Sequence, residues 1–199
     1  MFNKAIEDIQ KIEDRRVFRI LTKAVGIPKM EISIHKCLFG SALIGTHEDY
    51  LHAVELGKDA DECYCNFINR WSSISINVNS NYRNPILIDK VLKVIDTGVE
   101  DPSIKVSLYA PGTYLQRKVW EAIRTIEPGK TMSYKDIAAQ IGNPKAVRAI
   151  GSSCGTNPIA IIVPCHRVVR SDGSDGGYRW GLDIKRKLLQ REASTNKVI

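Results

Sequence analysis

The chain has 199 residues, 43% hydrophobic and 26% charged, enough for one large domain or two small ones sharing a core. Its formal net charge of +7 favours an anionic partner, nucleic acid among them. No apolar run reaches the roughly 18–20 residues of a membrane helix, residues 1–8 lack the apolar centre of a signal peptide, and five cysteines without a disulfide-framework spacing point to a reducing, cytoplasmic setting.

Residues 2–25 read as a helix, with Ile6, Ile9, Val17, Leu21 and Val25 near helical spacing and Gly26-Ile27-Pro28 ending it. Its Lys and Arg side chains make either a solvated basic face or an auxiliary DNA contact. From Met30 the pattern alternates. Met30, Ile32 and Ile34 oppose Glu31, Ser33 and His35, and Ala42–Gly45 and Tyr50–Leu56 follow as strands around the polar turn 46–49. This predicts a small antiparallel meander. Asp59 then caps a helix whose stripe is Ala60, Cys63, Tyr64, Phe67, Ile68 and Trp71.

That stripe makes Cys63 a small core hydrophobe. Cys63-x-Cys65 lacks zinc-knuckle spacing, and His47 and His52 read as structural, so no metal is expected. The polar stretch 72–84 reads as a loop, followed by a helix over 86–95 and a strand over 104–108. A boundary near Ala110-Pro111-Gly112 divides the chain into a basic extension (1–29), an α/β part (30–109) and a mostly helical part (110–199).

Thr113 and Gln116 are spaced for a capping box ahead of a helix with the stripe Leu115, Val119, Ala122 and Ile123. Ser133 and Asp136 are spaced the same way before a short helix, 134–140. Gly142-Asn143-Pro144 breaks it, and a second helix runs from Lys145 to about Ser153. Two short helices around such a turn are either a helix-turn-helix or plain helix packing. The second carries Ala146, Val147, Ala149, Gly151 and Ser152, too few polar groups to read base edges but small enough for close approach to a groove floor.

The run Ile161-Ile162-Val163-Pro164-Cys165-His166-Arg167-Val168-Val169 reads as a buried β-branched strand that Pro164 interrupts. A thiol beside an imidazole is a common arrangement for a nucleophilic cysteine, because the base raises the population of thiolate. No glycine-rich phosphate loop or other cofactor motif is present, and no cofactor is expected.

These nine residues resemble the active-site signature of the O6-alkylguanine-DNA alkyltransferases. The resemblance extends upstream from Thr113 to Asn157 and downstream through Gly177-Tyr178-Arg179-Trp180-Gly181 to Glu192. The Tyr-Arg-Trp-Gly wording is similar to bacterial members, especially the C-terminal half of the adaptive-response type. It implies an α/β fold: an N-terminal ribonuclease-H-like small sheet with helices, then a mostly helical C-terminal domain holding a helix-turn-helix and the active-site cysteine.

The resemblance also implies site roles. Cys165 accepts the alkyl group, His166 removes its proton through a water, Glu192 orients the imidazole, Tyr134 contacts the flipped nucleotide and donates a proton, and Asn157 ties the turn before the cysteine. Arg148 enters the base stack, with Ser133, Tyr134, Ala146, Val147, Ala149, Gly151 and Ser152 against DNA. Tyr134, Val168, Tyr178 and Arg179 line the base pocket, and main-chain carbonyls near Cys165 and Val168 meet the exocyclic amine. The partner implied is duplex DNA carrying alkylated guanine or thymine, bound by a monomer, and the acceptor cysteine is spent after one turnover.

Three other readings are weaker. A lesion-sensing relative without repair activity lacks the cysteine that stands here at 165. A Cys-His hydrolase needs an oxyanion hole and leaves Tyr134 and Arg148 unexplained. Regulation by this chain alone is not expected, because only residues 1–29 precede the meander.

Overall fold

The computed structural model describes residues 30–71, 76–77, 84–107 and 112–195. The helix expected over 2–25 lies outside the described residues. Strands β1 (Met30–Cys37), β2 (Gly40–His47) and β3 (Tyr50–Gly57) form the expected antiparallel meander. Two short strands extend it in parallel, β4 (Ile76–Asn77) beside β1 and β5 (Lys105–Val106) beside β3. Among the described residues the sheet order is therefore β4-β1-β2-β3-β5.

Two expectations need correcting here. The polar stretch 72–84 contributes β4, because an edge strand needs only backbone groups to pair with Met30 and Glu31. The strand expected over 104–108 is confined to Lys105–Val106, with Leu108 outside the described residues.

Helix α1 (Ala60–Trp71) packs against β2 and β3. The Asp59 carboxylate accepts the Glu62 N–H at 2.9 Å and caps its start. Its buried seam is Cys63, Phe67 and Trp71, with Ile68 partly covered, whereas Ala60 and Tyr64 face solvent. The stripe is narrower than its periodicity suggests, because only the residues that face β2 and β3 are covered. Helix α2 (Pro85–Thr97) starts on an Asn84 cap and ends where Gly98 takes a left-handed conformation.

The second part begins with α3 (Tyr114–Arg124), where Thr113 and Gln116 complete the capping box. Strand β6 (Met132–Ser133) leads into α4 (Tyr134–Gln140), whose Ser133–Asp136 box is also complete. Helix α5 (Val147–Gly155) starts two residues later than expected, since Ala146 at its cap offers no side-chain acceptor. A 3₁₀ turn, Cys165–Arg167, is followed by β7 (Val168–Val169), which pairs in parallel with β6. Helix α6 (Leu182–Thr195) closes the described chain.

One hydrophobic cluster runs from the meander through α3, α4, α5 and the 159–168 segment to Leu188. The architecture is mixed α/β, a small sheet with six helices among the described residues. No helix among them is long and apolar enough to cross a membrane.

Candidate active site

The segment expected as a strand, 161–163, is a chain of turns. Ile159 makes a single parallel bridge to Val54, with Val54 N–H on the Pro158 carbonyl and Ala160 N–H on the Val54 carbonyl, both at 3.0 Å. The backbone then reverses: Ile162 N–H reaches the Ala160 carbonyl and Val163 N–H the Ile159 carbonyl. Ile161 sits at φ +65°, a conformation that a β-branched residue adopts only under constraint. The constraint is Asn157. Its side-chain oxygen accepts the Ile159 N–H at 2.9 Å, and its Nδ2 donates to the Val163 carbonyl at 2.8 Å and to Cys165 Sγ at 3.1 Å. Local propensity says strand; a buried amide with three bonds overrides it.

Cys165 is almost fully buried and His166 fully so. His166 Nε2 is 2.8 Å from Glu192 Oε1. Arg167 grips the same carboxylate with two nitrogens, at 2.9 and 3.1 Å, and also reaches Glu100 at 2.8 Å. Gly129 N–H donates to Glu192 as well. The carboxylate thus holds two neighbouring side chains of the 3₁₀ turn against α6. His166 Nδ1 is buried without a hydrogen-bond partner among the described residues.

Burial pushes the Cys165 thiol up to about 11, against the Asn157 hydrogen bond and the nearby charges of Lys185 and Arg70. The thiol therefore rests protonated at neutral pH. Burial also lowers His166, outweighing the bond to Glu192, so the imidazole is neutral and free to accept a proton. For Glu192 burial works upward, but the hydrogen bonds and charges of His166 and Arg167 win and hold it at about 2. The arrangement is a neutral thiol, a neutral base and an ionised carboxylate behind the base.

Around this centre, Tyr178 packs edge-on to the His166 ring at 6.2 Å and to Trp180 at 5.2 Å. Tyr134 is half-buried, and burial raises its hydroxyl above the usual phenol range while a backbone bond at Gly177 works against it. A Cβ at Gly176 (φ +63°) would lie 2.6 Å from that hydroxyl, so glycine is needed for the loop to close over Tyr134. Val168 is buried, and its carbonyl accepts Lys185 Nζ at 2.6 Å. Arg179 reaches toward Glu55 at 3.5 Å. Ser133 spends its hydroxyl on the Asp136 cap.

Arg148, Val147 and Ser152 are exposed on α5, with Ala146, Ala149 and Gly151 partly exposed beside them and Ile150 facing the core. They form the exposed face of α5.

Several residues of this site carried no sequence signal that was read. Lys185 is fully buried and donates to the carbonyls of Val168 and Asp175. Its spacing to Leu188 and Glu192, three and seven residues, puts all three on one face of α6, and that periodicity was the available clue. Glu55 and Arg70 meet only through the tertiary fold. Among the described residues no group of three or more His, Cys, Asp or Glu comes together as a metal site.

A buried cysteine held by an asparagine, with a His–Glu pair beside it and an exposed small-residue helix nearby, defines a cysteine-centred protein with a helical surface for a large partner. The profile described as 6-O-methylguanine DNA methyltransferase, DNA binding domain, matches residues 114–194. The chain is 38% identical over 161 residues to the bifunctional transcriptional activator/DNA repair enzyme Ada of Escherichia coli (strain K12), covering 81% of this chain and 45% of that protein. It superposes on the crystal structure of Mycobacterium tuberculosis O6-methylguanine methyltransferase with a TM-score of 0.66 and 30% identity, covering 83% of this chain and 93% of that one. A Mycobacterium tuberculosis structure in complex with DNA matches at 31% identity and a TM-score of 0.62, over 82% and 93% of the two chains. The chain belongs to the O6-methylguanine-DNA methyltransferase family. It spans about half the length of the curated relatives it matches.

Proposed function

We propose that this protein repairs alkylated DNA by moving the alkyl group from O6 of guanine, and from O4 of thymine, to Cys165. The observation that carries this reading is the geometry at the thiol: Asn157 at 3.1 Å from Sγ, and the His166–Glu192 bond at 2.8 Å beside it. The target atom sits inside a stacked pair, so the base is extruded first, at a cost of a few kcal/mol that a badly paired lesion lowers. Arg148 on exposed α5 fills the vacated stack, and Ser133, Ala146, Val147, Ala149, Gly151 and Ser152 lie along the groove. This is the duty we assign to a helix-turn-helix made of α4 and α5. Tyr134, Val168, Tyr178 and Arg179 take the base.

His166 Nδ1 takes the thiol proton through a bridging water, and Glu192, ionised at neutral pH, stabilises the imidazolium. The sulfur–carbon bond forms as the carbon–oxygen bond breaks, and the guanine anion is protonated with help from Tyr134. Val168 can offer its second carbonyl lone pair to the exocyclic amine beside Lys185. A thioether is a poor leaving group, so each molecule acts once. We read the protein as a cytoplasmic monomer. Residues 30–109 would form a ribonuclease-H-like part, 110–199 the part that binds DNA, and 1–29 a basic extension.

Duplex DNA with radiolabelled O6-methylguanine tests this directly. Transfer of label to protein, capped near one methyl per molecule and absent in Cys165→Ala, is the expected result. Label retained in tightly bound DNA would make the protein a lesion sensor, and multiple turnover with free product would overturn the one-turnover chemistry.

A further inference from the structure

Glu55 lies in the middle of β3 with no solvent exposure. A buried carboxylate costs several kcal/mol unless it is paired, and this one is held from three sides. Arg70 Nε on α1 is 3.1 Å away, Arg179 Nη2 is 3.5 Å away, and the Trp180 indole N–H donates to Oε2 at 3.0 Å. Arg70 continues inward, donating to the carbonyls of Thr156 and Asn157 at 2.7 and 2.5 Å. Asn157 holds the Cys165 sulfur. Trp180 continues along a second route, packing on Tyr178, which packs on His166. The neighbouring residue Val54 grips Pro158 and Ala160 through its backbone, so one short piece of β3 fixes the active-site turn by main chain and side chain together.

We propose that Glu55 is a positioning residue for alkyl transfer, aligning the thiol through Arg70 and Asn157 and the base-pocket wall through Trp180. The inference rests on the alkyl-transfer reading above. Glu55 touches neither the sulfur nor the base. Its effect falls on the alignment of the bound lesion with the thiol and leaves the α5 surface alone.

The test compares Glu55→Gln, Trp180→Phe and the double variant with wild type. It measures single-turnover methyl transfer at saturating lesion duplex and, separately, equilibrium binding of that duplex. Glu55→Gln keeps the shape and removes the charge. It is expected to slow transfer by about tenfold to a hundredfold, the scale of a small misalignment, while duplex binding stays within about twofold. Trp180→Phe removes the indole N–H and shrinks the ring that packs on Tyr178, and is expected to lose about fivefold. The double variant should lose less than the product of the two single losses, because both changes act at the Glu55–Trp180 contact.

Transfer by Glu55→Gln at the wild-type rate overturns the proposal, as does a loss found entirely in binding, or strictly multiplicative losses in the double variant. If Glu55→Gln does not fold, Trp180→Phe decides alone, and a wild-type rate there overturns it. If wild type transfers nothing, the alkyl-transfer reading has failed and not the positioning. Iodoacetamide labelling of Cys165, which needs no DNA, then still reports whether Glu55→Gln alters access and alignment at the thiol.

Discussion

Two buried cysteines in this protein have been treated alike by burial and differently by the charges around them. Cys63 on α1 and Cys165 in the 3₁₀ turn are both raised from 9.0 to about 11, with burial the first cause in each. Cys63 has one backbone bond at Leu43 that favours its thiolate, but its sulfhydryl donates to the Ser41 carbonyl at 3.2 Å and leans on that of Glu55 at 3.7 Å. The nearby carboxylates of Glu55 and Glu62 push its thiolate further out of reach. Cys165 sits among donors and cations, Asn157, Lys185 and Arg70, which all work to stabilise a developing negative sulfur. Burial and raised pKa therefore do not distinguish a working thiol from a packing one. The sign of the surrounding dipoles and charges does.

The sharpest way to break this contrast is to delete each thiol. Cys165→Ala should abolish methyl transfer, whereas Cys63→Ala should transfer at the wild-type rate and lose on the order of 1 kcal/mol of stability for its buried atoms. Equal loss of transfer in both would show that the surroundings do not matter. Next in size is Glu192→Ala, which leaves His166 without its carboxylate and Arg167 buried with only Glu100 and the Ile126 carbonyl. An unfolding free energy lower by about 3–5 kcal/mol is expected from urea titration, and an unchanged midpoint would mean the carboxylate holds nothing.

Asn157→Ala removes the amide that separates the two environments. It should cost about 1–3 kcal/mol for the stranded Ile159 N–H and one lost bond at the Val163 carbonyl. It should also move the pH midpoint of iodoacetamide labelling at Cys165 upward from about 11.

The pH dependence of stability sharpens the comparison further. Both thiols have folded pKa values above their unfolded ones, so the stability they contribute is complete below pH 9.0 and is lost as pH rises toward about 11. Cys63→Ala and Cys165→Ala should each flatten this alkaline limb. Glu192 has the opposite sign: its folded pKa is depressed, so its contribution is complete above 4.5 and disappears as pH falls toward about 2. His166, lowered from 6.5, adds to the acid side. Glu192→Gln should remove the limb below 4.5 while leaving the alkaline one intact, as thermal melts across pH would report. The smallest effect is local: Thr113→Ala breaks one capping box and should cost about 1 kcal/mol without touching either thiol.

How much of this was legible depended on the range of the interaction. The capping boxes at Thr113–Gln116 and Ser133–Asp136 were readable because three residues suffice to make them. The meander was readable because alternation has a period of two. The 161–163 segment was misread for the converse reason. Its β-branched residues favour a strand, but its hydrogen bonds go to Asn157, Ile159 and Ala160, and the preceding residues 158–160 are held by Val54, more than a hundred positions away. Glu55, a polar residue in an apolar strand, carries no local signal, and Lys185, on the last helix, carries only its spacing to Leu188 and Glu192. Both are buried because both faces of β3 and the inner face of α6 are covered by distant parts of the chain.

By itself, then, the sequence determined the class of fold, the two short helices, the caps at Thr113 and Ser133, and through the nine residues around Cys165 the family to which the chain belongs. Only the tertiary structure decided which thiol faces donors and which faces acceptors. It also decided that a carboxylate on β3 and one on α6 bracket the active-site turn from opposite sides. Local patterns report how a residue relates to its neighbours in the chain, whereas electrostatic environment is set by whatever the fold brings within a few ångströms.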